Sequence, residues 1–171
     1  MFNFTVNRAK IIGNEIAKSI ATNKNYSAME FECGTDLISF NLYDRFEKVT
    51  LIDSSKGMID ILNSNILNYK INNMVAKHLD ITNENPIDEK FDVIYNSMVL
   101  HHIQDTKSII DDFYQLLNDE GYLCIVYLNE EDGSFHKEYP DFDGHNAFNE
   151  EELKRTLVSA GFDDIIKYIF L

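Results

Sequence analysis

A glycine turn and an acid have the spacing of a nucleotide-binding unit. The run Ala28–Phe40 alternates up to an acid, carries one glycine, Gly34, in a tight turn, and then opens an apolar-periodic segment. This pattern predicts a strand, a turn and the start of a helix. Asp53 ends a second predicted strand about twenty residues after the turn, the distance at which a carboxylate reaches ribose hydroxyls. The alternative for Asp53 and Ser54 is plain N-capping of the next helix.

Histidines are the second group of residues with a chemical use. His101 and His102 follow the apolar run Phe91–Asn96, and His145 lies in a long polar loop. A histidine with a pKa of about 6.5 can take a proton from a substrate hydroxyl or amine, so His102 and His145 are the candidate catalytic residues. The alternatives are hydrogen-bonded structural histidines and, for His145, a loop anchor. A metal site that adds His136 is disfavoured, because adjacent histidines chelate poorly and no ligand-type spacing recurs.

Composition and charge restrict the class of protein. The chain has 171 residues, 44% of them hydrophobic, which suits a single domain over residues 1–171. Its net charge of -14 opposes binding to nucleic acid or an anionic membrane and favours a small-molecule substrate. Cys33 and Cys124 are the only cysteines, and neither a signal peptide nor a long apolar run is present. We therefore expect two reduced thiols in a cytoplasmic protein.

Predicted strands and helices alternate along the chain from Ala28 onward. This order predicts an α/β fold, a Rossmann-like doubly wound and mostly parallel sheet with helices on both faces and ligands at the carboxyl ends of the strands. Helices are predicted over Phe2–Thr22, Thr35–Phe46, Met58–Tyr69 and Ser108–Leu117, and from a cap at Asn149 to Gly161. Strands after the first are predicted over Val49–Asp53, Met74–Asp80, Tyr122–Leu128 and Asp164–Phe170, with a turn at Glu120–Gly121, and a further buried strand is predicted to open Phe91–Asp105.

The glycine turn resembles motif I of the class I S-adenosylmethionine-dependent methyltransferases. Their first strand typically ends in an acid, any residue, and Gly-Cys-Gly-Thr-Gly; Glu30 takes the place of the acid, and Cys33–Thr35 match. The resemblance implies cofactor contacts from Glu30, Glu32, Cys33, Gly34 and Thr35. Glu32 and Asp36 stand where the family has glycines, which let the backbone approach the cofactor and adopt dihedrals that a Cβ penalises.

A second stretch, Phe91–Asp105, resembles motif IV of small-molecule methyltransferases, in which a buried strand leads to His-His-Ile-x-Asp. This resemblance implies that Asn96, Ser97 and Met98 lie beside the sulfonium end of the cofactor, with the histidines behind them.

Two further segments carry the resemblance. Asp53–Met58 is similar to the family's Asp-x-Ser-x-x-Met, which implies that a serine caps the next helix and that Met58 packs near the adenine, with Ser54 in the same cofactor-binding segment. In the family the acid at Asp80 accepts from the adenine amine, and the backbone amide of Ile81 meets the ring. Asp80 is equally well explained as a turn residue.

The resemblance implies S-adenosylmethionine as cofactor and methyl transfer to an oxygen or nitrogen atom of a small molecule, as in bacterial relatives. The alternative is a catalytically impaired binding or interaction module, which the family departures Glu32, Asp36, Glu120 and Ala147 favour. We also expect the family's usual last strand to be missing, so that its two neighbours pair directly, leave exposed edge groups, or recruit another chain as in a homodimer. A dinucleotide oxidoreductase is disfavoured, because Gly-x-Gly-x-x-Gly is absent.

Overall fold

The computed structural model describes residues 2–20, 22–34, 38–81, 87–127 and 148–165, with side chains from residue 7 onward. Its α-helices are α1 (Phe2–Ser19), α2 (Lys56–Asn68), α3 (Thr106–Leu116) and α4 (Glu150–Ala160). Its strands are β1 (Ser27–Phe31), β2 (Lys48–Asp53), β3 (Met74–His78), β4 (Phe91–Ser97) and β5 (Leu117–Val126).

The five strands form one sheet in the order β3-β2-β1-β4-β5. Every neighbouring pair is parallel, so all the carboxyl ends lie at one edge of the sheet. The order reverses direction next to β1, which makes that edge the expected ligand crevice of an open α/β sheet. The predicted Rossmann-like α/β fold is confirmed.

A hydrophobic core lies between the sheet, α1 and α2. The four-residue spacing on α1 places one stripe of the helix inside this core, and α2 contributes Ile59 and Leu62, whereas Met58 and Ile61 are exposed. The sheet contributes side chains from β1, β2 and β4. The buried members from α1, from Ile20 directly after it and from these strands are Ala9, Ile12, Ile16, Ile20, Ala28, Val49, Leu51, Val93 and Tyr95.

The predicted helix over Thr35–Phe46 is wrong for the described part of that segment. Two short 3-10 turns, Ser39–Asn41 and Tyr43–Arg45, replace it. The backbone N–H groups here donate three residues back, as Leu42 does to Ser39 and Arg45 to Leu42, which is the 3-10 pattern. The side-chain amide of Asn73 donates to the carbonyl oxygens of Tyr43 at 2.7 Å and of Phe46 at 3.1 Å, so a distant residue caps the end of this segment.

The fifth strand starts earlier than the sequence pattern predicts. It begins at Leu117, and its pairing with β4 shifts register between Phe91 and Val93. The predicted turn at Glu120–Gly121 lies within that irregularity, where Glu120 has a φ of 61°. Of the predicted sixth strand, the two described residues, Asp164 and Ile165, are not in a strand, and the remainder lies outside the described residues.

The chain divides into two compact units. One holds residues 1–97 and 116–126, and the other holds residues 98–115 and 127–171. The first unit contains the sheet, α1 and α2; the prediction of one domain over residues 1–171 stays a prediction. None of the helices in the described ranges combines the length and apolarity needed to cross a membrane.

The second unit contains α3 and α4. The predicted N-cap of α4 is confirmed, since the Asn149 side chain accepts from the backbone N–H groups of Glu151 and Glu152. The predicted end is confirmed too: Gly161 adopts a left-handed φ of 111°, which a glycine reaches without a Cβ penalty.

Candidate functional site

The glycine turn leaves the carboxyl end of β1 and is held against β2 by backbone groups. The N–H of Cys33 donates to the carbonyl oxygen of Ile52 at 3.0 Å. The N–H of Gly34 donates to a carboxylate oxygen of Asp53 at 2.6 Å. Glu32 and Gly34 have left-handed φ values of 49° and 55°. The turn predicted from sequence is therefore present, and it is hydrogen-bonded to Asp53, the acid that was predicted to bind ribose.

Asp53 is 4% exposed and is held by two backbone donors. Besides Gly34, the N–H of Ser55 donates to its other carboxylate oxygen at 2.7 Å. The N-cap of α2 is Ser55, whose hydroxyl accepts from the N–H of Met58 at 3.5 Å. The interpretation of Asp53 or Ser54 as that N-cap is thus wrong, because Ser55 has the capping geometry. Each oxygen of Asp53 keeps a second lone pair that can accept a ligand hydroxyl.

Glu32 places a carboxylate beside this acid. The Ser54 hydroxyl donates to Glu32 at 3.0 Å, so Ser54 contacts the turn rather than capping a helix. Burial raises the pKa of Glu32 above its ordinary value, and the nearby charges of Asp53 and Asp80 raise it further. The turn therefore carries a carboxyl group whose ionised form is disfavoured by its surroundings.

A buried polar network lies beneath the turn. The Ser39 hydroxyl donates to the carboxylate of Glu30, and the hydroxyl oxygens of Ser39 and Tyr95 are 2.6 Å apart. Glu30 is 1% exposed, and Ser39 and Tyr95 are fully buried. Sequence reasoning found Glu30 and missed the other two. The available signal was a residue with a hydroxyl group in each of two mostly apolar stretches, Ile38–Phe40 and Val93–Tyr95.

Other predicted contacts lie at the same edge. Asp80 and Ile81 are half-buried after β3, and the ring of His78 is 2.9 Å from the carbonyl oxygen of Ser54. At the end of β4, Asn96 is fully buried, and neither of its amide atoms has a partner within the described residues. Ser97 is half-buried beside it.

The remaining predicted site residues fall into three groups. Met58 is exposed on the first turn of α2. Met98, His101 and His102 belong to the second unit, in which His101 is buried and His102 exposed, with ring centroids 4.1 Å apart. Thr35, Asp36 and His145 lie outside the described residues. The catalytic roles of His102 and His145 stay predictions.

The two thiols are unsuited to nucleophilic chemistry. Burial, and then the neighbouring charge of Glu30, raises the pKa of Cys33 far above its ordinary value. Burial raises the pKa of Cys124 to about 12. A thiol with so high a pKa carries little thiolate, which is the nucleophilic form.

Fold and turn together define a Rossmann-like α/β protein with a ligand crevice at the carboxyl ends of β1, β2 and β4. The family described as "Methyltransferase domain" matches residues 7–166. The chain belongs to this family, that of the class I S-adenosylmethionine-dependent methyltransferases.

Individual relatives agree with this assignment. An uncharacterized methyltransferase of Schizosaccharomyces pombe is 30% identical over 117 residues, which are 64% of this chain and 41% of that protein. The chain thus covers less than half of that relative. The YcgJ protein of Bacillus subtilis has a TM-score of 0.76 at 13% identity, over 87% of this chain and 67% of that one. This second likeness concerns the fold alone.

A third protein, PKMT2 from Rickettsia typhi, was solved in complex with AdoHcy. It is 26% identical with a TM-score of 0.55, over 64% of this chain and 22% of that one.

Proposed function

We propose that this chain binds S-adenosylmethionine and transfers its methyl group to an oxygen or nitrogen atom of a small molecule. The observation that carries the proposal is the carboxylate of Asp53 at the end of β2. It is fixed by the N–H groups of Gly34 at 2.6 Å and Ser55 at 2.7 Å. Its two free lone pairs suit the paired hydroxyls of a ribose.

A second feature that fits the cofactor is Asn96. A fully buried amide without a partner is costly in a folded protein, and Asn96 has none in the part of the chain that the structure describes. A polar group of a bound ligand at the end of β4 would supply the missing hydrogen bonds. The AdoHcy bound to the Rickettsia typhi protein supports a cofactor of this chemical class.

S-adenosylmethionine, when bound, supplies an electrophilic methyl group on a sulfonium. Transfer breaks the bond from the methyl carbon to sulfur, forms a bond from that carbon to the acceptor oxygen or nitrogen, and leaves S-adenosylhomocysteine. The acceptor proton passes to a base, for which His102 and His145 are the candidates from sequence. Asp53 would orient the ribose, so the protein contributes mainly by positioning.

The acceptor is proposed to be a small molecule because of charge. A net charge of -14 repels phosphate backbones, whose binding requires clustered lysine and arginine. A cytoplasmic location, the absence of a membrane partner and a homodimer through a sheet edge stay predictions.

Glu32 favours a second candidate function, a methyltransferase fold that no longer binds its cofactor. Its carboxylate lies at the turn beside Asp53 and Asp80, where the negative carboxylate of the cofactor's methionyl part would add a like charge. Like charges interact most strongly where water is excluded.

Calorimetric titration with S-adenosylmethionine and S-adenosylhomocysteine tests the proposal. We expect the natural chain to bind at a micromolar level, about -8 kcal/mol. We expect Asp53→Asn to bind about tenfold more weakly or worse. Asp60→Asn is the matched control, because Asp60 is an exposed acid on α2 that pairs with Lys56 at 3.0 Å, and it should bind like the natural chain.

Two results would contradict the proposal. If only a Glu32→Gly variant binds, the chain is the impaired module. If neither the natural chain nor that variant binds, the proposed function fails and Glu32 alone does not account for the loss of binding.

A further inference from the structure

Three buried polar side chains form a directed hydrogen-bond chain in an otherwise apolar core. Ser39 donates its hydroxyl proton to the Glu30 carboxylate. A serine hydroxyl has only one proton to donate, so the 2.6 Å contact between the Ser39 and Tyr95 hydroxyls requires Tyr95 to be the donor. The chain therefore runs from Tyr95 to Ser39 to Glu30.

The three members come from segments that border the candidate site. Glu30 lies on β1 just before the glycine turn, and Ser39 lies in the 3-10 turn where the chain returns from it. Tyr95 lies on β4 directly before Asn96, and β1 and β4 pair so that Glu30 is opposite Tyr95. The network thus ties both ends of the segment that contains the turn to the strand that carries Asn96.

The burial of this network explains why it should fix the position of Ser39 relative to β1 and β4. A carboxylate and two hydroxyls at 0–1% exposure have no access to bulk water, so each must keep its protein partners or remain unsatisfied. A shift of Ser39 relative to β1 or β4 would break these bonds. The position of the returning chain is consequently defined more sharply than apolar contacts alone would define it.

We propose that Ser39 and Tyr95 are positioning residues that hold the glycine turn in its cofactor-binding conformation. The proposal rests on the proposed function, since it concerns the same cofactor. Neither residue needs to touch the ligand: they act through Glu30 and the backbone of the turn, whose Cys33 and Gly34 N–H groups reach β2.

Tyr95→Phe is the first variant, because it removes one hydroxyl and leaves the bond from Ser39 to Glu30. The second variant, Ser39→Ala, removes both bonds. The matched control is Thr50→Val, since Thr50 lies on the neighbouring β2, is fully buried, and has a hydroxyl without a partner in the described ranges. All three variants delete a buried hydroxyl with little change of volume.

Two measurements are made below the unfolding transition, where each variant is folded by circular dichroism. One is hydrogen exchange of the Cys33 and Gly34 amides, which reports the order of the turn without any ligand. The other is the dissociation constant for S-adenosylhomocysteine. A purely structural role would lower the melting temperature and leave both quantities unchanged in the folded protein.

We expect Tyr95→Phe to speed exchange of both amides and to raise the dissociation constant about threefold to tenfold, as for loss of one hydrogen bond. Ser39→Ala should have at least the same effect, because it removes both bonds of the network. Thr50→Val should change neither quantity. Wild-type exchange rates and affinity in Tyr95→Phe and Ser39→Ala would overturn the proposal.

The outcome also separates this inference from the proposed function. Absence of binding by the natural chain would overturn the proposed function and the cofactor part of the inference. Exchange would still show whether the network orders the turn.

Discussion

Replacement of Glu32 by glycine should stabilise the protein through its backbone. Glu32 has a φ of 49°, in a region that costs a residue with a Cβ about 1–2 kcal/mol. Glycine avoids this cost but loses about 0.5–1 kcal/mol in chain entropy on folding. The net expectation is a gain of about 0.5–1 kcal/mol in the free energy of unfolding. The lost hydrogen bonds from the hydroxyl and the backbone N–H of Ser54 contribute little, because Ser54 is exposed and both groups can bond to water.

The charge of Glu32 adds a separate, pH-dependent effect. Burial, and then Asp53 and Asp80, raise the folded pKa of Glu32 above its ordinary 4.5. An acid with a raised folded pKa lowers the free energy of unfolding when it is ionised. The full stability is therefore present below the unfolded pKa and is lost as pH rises through the folded pKa. Glu32→Gln, which cannot ionise, should therefore be more stable than the natural chain at neutral pH, and this advantage should vanish as pH falls below the unfolded pKa.

Urea denaturation of the natural chain, Glu32→Gly and Glu32→Gln at about pH 7 and about pH 4 measures both effects. Glu120→Gly is the matched control for the backbone effect, because Glu120 is exposed and has a φ of 61°. It should gain a similar amount. The reasoning is refuted if Glu32→Gly is less stable than the natural chain while Glu120→Gly is more stable, or if Glu32→Gln has the same advantage at both pH values.

Two further predictions concern other parts of the chain. Burial raises the pKa of Glu89, but hydrogen bonds from Lys48 and Lys77 outweigh it and lower the pKa. The ionised carboxylate therefore stabilises the folded protein, and this contribution is present above the unfolded pKa and lost as pH falls through the folded pKa. Glu89→Gln should lower the free energy of unfolding by about 1 kcal/mol near neutral pH and leave it unchanged in acid. Urea titrations at the two pH values measure this difference. An equal loss in acid would contradict this account. Gly161→Ala should lower the free energy of unfolding by about 1–3 kcal/mol, because Gly161 has a φ of 111° and an added Cβ would lie 2.7 Å from the Tyr114 ring. Thermal denaturation of Gly161→Ala with and without Tyr114→Leu tests this. The second substitution removes the clash with the ring and leaves the cost of the backbone conformation.

Local patterns made much of the fold predictable. The stripe of α1 is buried because apolar side chains four residues apart share one helix face, and the cap at Asn149 forms because its donors are two and three residues away. The strand, glycine turn and acid were predictable for the same reason. Each depends on neighbours in sequence, and the spacing from the turn to Asp53 is the length of the one connection between β1 and the end of β2.

Contacts between distant segments decided the rest. Sequence placed a helix over the residues around Ser39, because their apolar spacing fits one, whereas the structure has two 3-10 turns there, whose end is capped by the distant Asn73. Sequence also named Glu30 without its partners, since Tyr95 lies on another strand of the sheet. The amino-acid sequence by itself determined the order of strands and helices and the acids that end the strands. Only tertiary structure decided which buried polar groups meet, because such groups are satisfied by whatever partner the fold brings within hydrogen-bond distance.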